Sequence, residues 1–491
     1  MAPSTEHTPS ALAKPDLDEV EKADKFYEGE DDALAPTDEE KAAYIRKLDW
    51  HLMPVIFVIY MLSVLDRSNL GNAHQAGLDD GIGLVGNQYN LLGTIFYIGY
   101  ICSMWTVTGW KQFPAHIWAA CVVFAWSTLS SLQSSVHNFS GLAAIRFFLG
   151  VFEAMYAGVP VYLSFFYPRD KVGFRQGIFI SGSALANAYG GALGYAILLI
   201  KSSVPSWRIL FLIEGLPTML MTIVAFFLLP DSIRDARFLT DRQKEVASYC
   251  VNQGQVADTD EGQHTGLRVK EMLSGLKDWR SFVTGIIYFG CNVSFASLPL
   301  FVPSIIAEIG IFTSIQANGL SAPPYLFCFF VILAVNFTAD KLRLRGPFIS
   351  FFGLVAAVGF ILLATSRDPV ARYLGVYLAI LIFVSVSLMM SWVSNMHSTE
   401  SKRTGGWAVF QTLGQCGPLL GTNVFPASEK PYYVKGSWIS TAFCLVVTVV
   451  SAGLSFSLWR ENKKLDRIFN ENQDEDVPAS ARGQRGFRYI I

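Results

Sequence analysis

The sequence predicts an all-α membrane protein of twelve transmembrane helices in two six-helix bundles, and three observations support this fold class. Only 16% of the 491 residues are charged and 52% are hydrophobic, whereas soluble domains carry about 25% charge. Apolar runs of roughly 20 residues, the length that crosses a bilayer, recur along the chain. One long polar stretch separates six of these runs from the other six.

The chain opens on an acidic, polar tail over residues 1–40, and this tail contains no apolar segment typical of a signal peptide. We expect it to be disordered and cytosolic. Thr37 and Glu40 have the spacing of a capping box, which predicts a short helix through Tyr44 and Leu48 leading into the first span. The alternative is a solvated run of charges.

Twelve apolar runs follow, and each predicts one span. They cover residues 52–68, 91–110, 115–133, 141–166, 176–200, 207–229, 282–306, 319–337, 347–366, 372–395, 404–425 and 435–458. The predicted organisation is therefore an N-terminal bundle over 41–230, a cytosolic central loop over 231–280, a C-terminal bundle over 281–460 and a cytosolic tail over 461–491. Such halves are expected to rock about a site near the middle of the membrane.

The distribution of basic residues predicts that both termini lie in the cytosol. Lysines and arginines near span ends favour the cytosolic side. With a cytosolic N-terminus, the inner loops hold Lys111, Arg169, Lys171, Arg175, Lys341, Arg343, Arg345, Lys402 and Arg403. The outer loops hold fewer, namely Lys201, Arg367, Arg372, Lys430 and Lys435.

Asp66 and Arg67 form a charged pair in the outer part of the first span. A central charge costs about 2.5 to 3.5 kcal/mol on insertion scales, so membrane charges are usually paired or face a water-filled cavity. We interpret Arg67 as a residue that binds an anion and Asp66 as a carboxylate that takes a proton. The alternative is a pair at the helix end whose charges reach the interface.

The fourth span places Arg146, Gly150 and Glu153 on one helical face, four and seven residues apart. A separation of seven residues is about 10.5 Å along the helix, so the two ions need not bond directly. We expect them to face the same cavity, with Arg146 in substrate binding. The alternative is a structural clamp to a neighbouring helix.

The C-terminal spans carry neutral polar side chains instead of charges. These are Tyr288, Asn292, Ser294, Asn336, Gln411 and Gln415. We expect the first bundle to hold a carboxylate, while Tyr288, Asn292 and Gln411 bind the rest of the substrate. Each of these residues alone is also typical of helix packing.

Several segments resemble fungal allantoate permease-like anion:cation symporters of the major facilitator superfamily, and the resemblance runs from about residue 40 to 465. The segments are DRSNLGNA after the first span, RFFLGVFEA in the fourth, WRILFLIEG opening the sixth and LPDSIRDARFLT after it. The resemblance implies a major facilitator fold. It also implies that Arg67 engages a substrate carboxylate, that Asp66 is its proton-binding neighbour, and that protonation of Glu153 releases Arg146.

The loop between the second and third spans, TVTGWKQFPAH, lacks the acidic and basic residues of the superfamily's gate motif. The equivalent C-terminal loop keeps Asp340, Lys341 and Arg345, which we interpret as gate and topology charges rather than substrate ligands. The two halves therefore differ at this gate.

These observations predict a secondary transporter that takes up a small organic anion, such as a vitamin or ureide, together with a proton. The predicted protein is monomeric and lies in the plasma membrane. A proton-coupled exporter is the alternative, although the fifth span, SGSALANAYGGALGY, lacks the Gly-Pro step usual in antiporters. A non-transporting nutrient sensor would keep the same fold but usually carries a long extension.

The sequence points away from an enzyme and from cofactor, metal or nucleic-acid binding. No span carries a nucleophile with a base or a phosphate loop. The seven cysteines are scattered without a CxxC pair or a His cluster at metal spacing. No basic patch is present for a nucleic acid.

Overall fold

In the computed structural model, residues 36–253, 274–394, 396, 400–471 and 490 are described, and within them every regular element is a helix. The first half contains α1 (Asp38–His51), α2 (Met53–Gln75), α3 (Gln88–Cys102), α4 (Ala115–Leu132), α5 (Phe139–Tyr156), α6 (Arg169–Leu198) and α7 (Ser206–Leu228). Short helical turns at Leu78–Ile82, Met104–Thr108, Gly109–Gln112, Gln133–Ser135 and Val159–Leu163 join or extend them. The described part of the central loop contains α8 (Asp241–Gln253).

The second half contains α9 (Trp279–Ala307), α10 (Ser314–Leu342), α11 (Gly346–Thr365), α12 (Pro369–Ile380), α13 (Ile382–Val393), α14 (Glu400–Gln415), α15 (Gly417–Gly421) and α16 (Val434–Glu471). A turn at Ala427–Glu429 precedes α16. Helix α16 continues to Glu471, whereas the sequence predicted a tail from residue 461. The polar residues after 460 therefore extend the last helix. Most of the predicted tail lies outside the described residues.

Helices lie at all twelve predicted span positions, but they differ in length and continuity. Nine helical stretches in the described part of the chain are long and apolar enough to cross a membrane. The other three positions correspond to α3, α6 and the pair α14 and α15. Helix α3 has only 15 residues before a tighter turn begins, α6 is long but contains many small and polar residues, and a break at Cys416 separates α14 from α15.

The first helix begins where the capping-box spacing predicted it. The side chain of Thr37 accepts a hydrogen bond from the Glu40 amide, and the Glu40 carboxylate accepts one from the Thr37 amide at 3.0 Å. Arg242 of α8 also donates to Glu40 at 3.0 Å, and this bond lowers the pKa of Glu40 below its usual value of 4.5. Helix α1 is thereby tied to the central loop, while residues 1–35 of the predicted tail lie outside the described residues.

Helix α2 ends at Gln75, seven residues beyond the predicted end of the first span. The extension is polar in sequence, but Ser68, Asn69 and Asn72 are buried. Gly71 lets α2 approach α9 closely, since a Cβ at this position would meet the backbone oxygen of Pro299 at 2.5 Å. Packing against the other half therefore keeps these residues helical, and the Asp66–Arg67 pair lies inside the helix rather than at its end.

Packing within and between the halves creates the site described below. In the first half, α4 packs on α7, α3 on α5 and α2 on α6. In the second half, α11 packs on α16 and α9 on α14. The two halves meet chiefly where α6 contacts α10 and α13 and where α2 contacts α9.

Candidate functional site

A cavity lies between the halves and contains five of the predicted site residues. Arg67 of α2 and Glu153 of α5 line it from the first half. Tyr288 and Asn292 of α9 and Gln411 of α14 line it from the second half. The cavity encloses about 650 Å³ of empty space, including the part that is open to solvent. The structure thus brings charged and neutral polar groups of both halves to one space.

Arg67 and Glu153 form an ion pair on the wall of this cavity. The Arg67 Nη2 and Nε atoms donate to Glu153 Oε2 at 2.8 and 3.1 Å, and Ser63 Oγ donates to the same oxygen at 3.2 Å. The Glu153 side chain is fully buried, whereas that of Arg67 is 17% exposed. Glu153 Oε1 has no hydrogen-bond partner among the described residues. Arg67 is therefore the member of the pair that a solute in the cavity can reach.

Aromatic rings surround the Arg67 guanidinium. Its central carbon lies 5.1 Å from the ring centre of Phe96, 6.0 Å from that of Tyr97 and 5.1 Å from that of Tyr100. Cation–π attraction of this kind contributes about 0.5 to 2 kcal/mol, more where the cation is desolvated. The sequence analysis missed these residues of α3, although the segment FYIGY shows aromatic residues three and four positions apart on one helical face.

The cavity walls are aromatic in the second half as well. Tyr288 stacks on Phe410 with ring centres 4.3 Å apart, and Phe295 and Met390 complete that wall. Opposite them, the ring centre of Tyr60 of α2 lies 4.0 Å from that of Phe179 of α6. A flat, apolar solute with one acidic group would match such a lining.

The neutral polar residues of the second half divide between the cavity and helix packing. Asn292 Nδ2 donates to the Gly414 carbonyl at 3.0 Å, so part of its amide is used to join α9 to α14. Gln411 lines the cavity, and its Oε1 has no hydrogen-bond partner in the described part of the chain. Asn336 donates to Ser387 at 2.9 Å, and Ser294 lies 3.9 Å from Cys444, as expected for packing contacts.

The pairing of the four predicted charges differs from the sequence-based expectation. Arg146 lines a second, smaller cavity that it shares with Arg67, and it does not line the main cavity with Glu153. Its Nη1 donates to the Arg67 carbonyl at 3.3 Å, while Nε and Nη2 have no partner among the described residues. Glu153 bonds to Arg67 because the two-turn separation keeps Arg146 out of hydrogen-bonding distance within α5.

Arg67 lines the cavity, whereas its neighbour Asp66 does not. Because successive residues of a helix lie about 100° apart, the Asp66 side chain points to another side of α2. It is fully buried, and its Oδ1 accepts a hydrogen bond from Ser130 of α4 at 2.6 Å. The alternative of a helix-end pair reaching the interface does not fit this burial. Close to Asp66 lies Glu214 of α7, a buried carboxyl. It belongs to the segment WRILFLIEG, and the sequence predicted no functional role for it.

The predicted gate residues form a local ion pair beside the other half. Arg345 Nη2 lies 2.6 Å from Asp340 Oδ1, and Arg345 also donates to the Ser391 carbonyl. The guanidinium abuts Gly173 of α6, where a Cβ would overlap it. Lys341 is exposed. The arrangement joins the two halves, and its role as a gate stays a prediction.

The halves also touch where α2 and α9 end and α3 begins. Gln75 Nε2 donates to Ser304 Oγ at 2.8 Å, and Tyr89 donates to the Leu300 carbonyl at 3.1 Å. Thr94 Oγ1 lies 2.8 Å from Thr422 Oγ1. These bonds hold the two halves together at this end in the conformation observed.

Comparison with known proteins agrees with this architecture. The chain is 31% identical over 468 residues to the Major facilitator-type transporter hxnP of Emericella nidulans, covering 92% of this chain and 93% of that protein. It is 28% identical to the High-affinity nicotinic acid transporter of Saccharomyces cerevisiae, covering 92% and 85%. The solved structure of the xylose transporter XylE from E. coli, in a partially occluded inward open conformation, superposes with a TM-score of 0.60 at 14% identity, covering 82% and 96%.

The family model of the Major Facilitator Superfamily matches residues 56–422, which is most of the chain. The family and these relatives are transporters rather than enzymes. Together with the all-helical fold and the cavity between two halves, this match identifies the chain as a multi-pass membrane transporter that belongs to the Major Facilitator Superfamily.

Proposed function

We propose that this transporter is a proton-coupled symporter of a small organic anion, within the allantoate permease-like group of the superfamily. The observation that carries the proposal is the Arg67–Glu153 ion pair on the wall of the cavity between the halves. A guanidinium presents a planar fork that suits a carboxylate, and here a protein carboxylate occupies it. A substrate carboxylate would compete with Glu153 for the same donors.

Proton coupling follows from this competition. When Glu153 takes a proton it loses its charge, and Arg67 becomes available to the incoming anion. When the anion leaves and Glu153 loses the proton, the ion pair forms again. A proton thus favours the state that binds the substrate, which is the differential interaction that coupling requires.

The energetics of uptake agree with a symporter. Moving one negative charge inward against an inside-negative potential costs about 2.3 kcal/mol per 100 mV, and one proton carried along cancels this charge term. The proton gradient then drives accumulation. We place both termini in the cytosol, in accordance with the distribution of basic residues. The plasma membrane and a monomeric state complete the proposal.

The lining of the cavity favours an anion with a flat ring. Tyr97, Tyr100 and Phe96 surround the arginine, and Tyr288 lies across the cavity. One relative carries the name of a nicotinic acid transporter, and nicotinate has a planar ring and one carboxylate. Nicotinate is therefore the first probe to use.

Purified protein in proteoliposomes tests this proposal, with radiolabelled nicotinate and a panel of aliphatic carboxylates as probes. We expect uptake to rise as external pH falls, to collapse with a protonophore and to be unchanged when sodium is removed. Liposomes without protein give the passive leak of the neutral acid. Uptake that follows sodium and ignores the protonophore would contradict proton coupling, and failure of every carboxylate in the panel would contradict the substrate class.

A further inference from the structure

A third buried carboxyl lies outside the cavity and has no part in the mechanism above. Glu214 of α7 is 1% exposed, and neither of its carboxylate oxygens has a hydrogen-bond partner among the described residues. An ionised carboxylate in such a place is costly, because burial removes its hydration and nothing replaces it. The surroundings of Glu214 therefore determine whether it carries a proton.

The groups that face Glu214 come from three helices. Helix α7 packs on α2, which carries Asp66, and on α4. A Cβ at Gly215, the residue after Glu214, would overlap Ser131 Oγ of α4. Asp66 of α2 and Arg146 of α5 are the charged groups of this region. Helix α4, which packs on α7, carries no Asp, Glu, Lys or Arg and contributes the Ser130 hydroxyl that donates to Asp66 at 2.6 Å. Asp66 Oδ2, like the Glu214 oxygens, is without a hydrogen-bond partner in the described part of the chain.

Counting charges locates one proton. The connected group contains three carboxyls, Asp66, Glu153 and Glu214, and two guanidiniums, Arg67 and Arg146, which stay charged in proteins. Arg67 is bonded to Glu153. Arg146 alone is left to balance both Asp66 and Glu214. With every carboxyl ionised, one negative charge would be uncompensated in a buried place, so one of these two carboxyls binds a proton.

We propose that Asp66 and Glu214 form a two-carboxyl proton site that binds one proton in total, on one carboxyl or the other, with Glu214 as a proton-binding residue outside the substrate cavity. The proposal rests on the proposed function and deepens its proton coupling. Arg146 links the two regions, since it faces the carboxyl pair and also donates to the backbone of Arg67 at 3.3 Å. Two close carboxyls beside one cation titrate as a unit rather than separately.

Infrared spectroscopy of the purified full-length protein tests the proton directly. We expect wild-type protein at neutral pH to show the band of a buried protonated carboxyl. Both Glu214→Gln and Asp66→Asn should lose this band, because either change leaves one carboxylate for Arg146 and removes the need for the proton. The control Glu308→Gln removes a half-exposed carboxyl at the end of α9, where it pairs with Lys430, and should keep the band.

Two results would overturn the proposal: no protonated-carboxyl band in the wild type, or a band that remains in Glu214→Gln. Thermal unfolding and monodispersity show which variants are folded. If Glu214→Gln does not fold, Asp66→Asn and the wild type still decide the question.

A transport measurement separates this proposal from the proposed function. With nicotinate as the probe, Glu214→Gln in proteoliposomes should shift the external pH at which uptake rises relative to wild-type protein, because the charge around Arg146 and Arg67 changes while Glu153 still takes its proton. An unchanged pH profile in this variant would overturn the coupling role of the pair. If wild-type protein itself shows no acid-driven uptake, the proposed function fails, while the infrared result still decides where the proton lies.

Discussion

At the scale of single residues, Arg67 has one carboxylate partner in the structure, Glu153, and we propose a substrate carboxylate as the alternative. Its Nε and Nη2 atoms donate to one oxygen of Glu153, and three rings of α3 surround it. A lysine ammonium would keep the charge but lose the fork and the stacking. Charge-assisted hydrogen bonds contribute about 1.5 to 3 kcal/mol, which corresponds to roughly 10- to 100-fold in affinity.

We therefore expect Arg67→Lys to weaken apparent affinity for nicotinate by about 10- to 100-fold, and Arg67→Ala to abolish transport. Uptake in proteoliposomes, corrected for the amount of folded protein, measures both. Arg67→Ala also leaves Glu153 buried without its cation, so we expect it to be less stable. The double variant Arg67→Ala/Glu153→Gln should regain stability but not transport. Near wild-type transport by Arg67→Ala would show that the anion binds elsewhere.

In the proposed mechanism, Glu153 is the residue that couples proton binding to substrate binding. Glu153→Gln mimics the neutral form, so the Arg67 donors stay available to the anion whatever the pH. We expect this variant to exchange labelled for unlabelled nicotinate in counterflow but to lose accumulation driven by a pH gradient. The conservative variant Glu153→Asp should retain part of the coupling.

Both measurements on Glu153→Gln use the same reconstituted protein, so its amount and orientation are matched. If the variant still concentrates nicotinate under an imposed pH gradient, the coupling proton binds elsewhere, and the Asp66–Glu214 pair is the next place to examine. If exchange is lost as well, Glu153 has a structural role.

The sequence predicted which residues are charged inside the membrane but not how they pair. Charges in apolar runs are rare, so Asp66, Arg67, Arg146 and Glu153 could be recognised from composition alone. Their partners depend on how α2 and α5 are rotated against each other, which no local pattern specifies. The same rule marks Glu214 in the sixth apolar run, but no local pattern shows that α7 packs on the helix that carries Asp66.

At the scale of helices, close backbone contact between α3 and α5 places the rings beside Arg67. Gly150 of α5 lies against the Phe96 carbonyl of α3, and Gly99 of α3 lies against the Phe147 carbonyl of α5. Small residues allow such contact between membrane helices. The sequence showed Gly150 on the face of Arg146 and Glu153, but it did not show which helix would approach there.

We expect Gly150→Ala to separate α3 from α5, since the new methyl group would overlap the Phe96 carbonyl. Overpacking of this kind costs about 1 to 3 kcal/mol. The unfolding temperature should fall, and the KM for nicotinate should rise because the Phe96 and Tyr100 rings leave Arg67. The matched control is Gly453→Ala on α16, where nothing lies within 4 Å of the added Cβ. Equal behaviour of the two variants would contradict this packing role.

Helix boundaries were predicted least well where a helix does not end at the same residue as the apolar run. The first span was predicted to end at residue 68 because polar residues follow, yet α2 continues to Gln75 by packing on α9. Conversely, α3 ends at Cys102, before the predicted end at 110, and a tighter turn replaces it. Contacts with other helices, absent from a local window of sequence, determine both ends.

At the scale of the whole molecule, alternating access requires the two halves to separate at the end where α2 contacts α9 and α3 contacts α15. Thr94 of the first half and Thr422 of the second lie there, with their hydroxyl oxygens 2.8 Å apart. Because these two short side chains touch, we choose the two positions for a cysteine crosslink between the halves. The exposed Cys102 and Cys121 are replaced by serine beforehand to prevent other crosslinks.

We expect oxidised Thr94→Cys/Thr422→Cys protein to lose nicotinate uptake and to regain it on reduction, because the crosslink prevents the cavity from opening at this end. The matched control is Ser350→Cys/Ser451→Cys, since these two hydroxyl oxygens lie 2.6 Å apart but both belong to the second half. A crosslink within one half leaves the movement between halves free, so oxidised control protein should transport like reduced protein. Full transport by the crosslinked Thr94/Thr422 variant would mean that the halves need not part at this contact, and alternating access would then have to proceed through another opening.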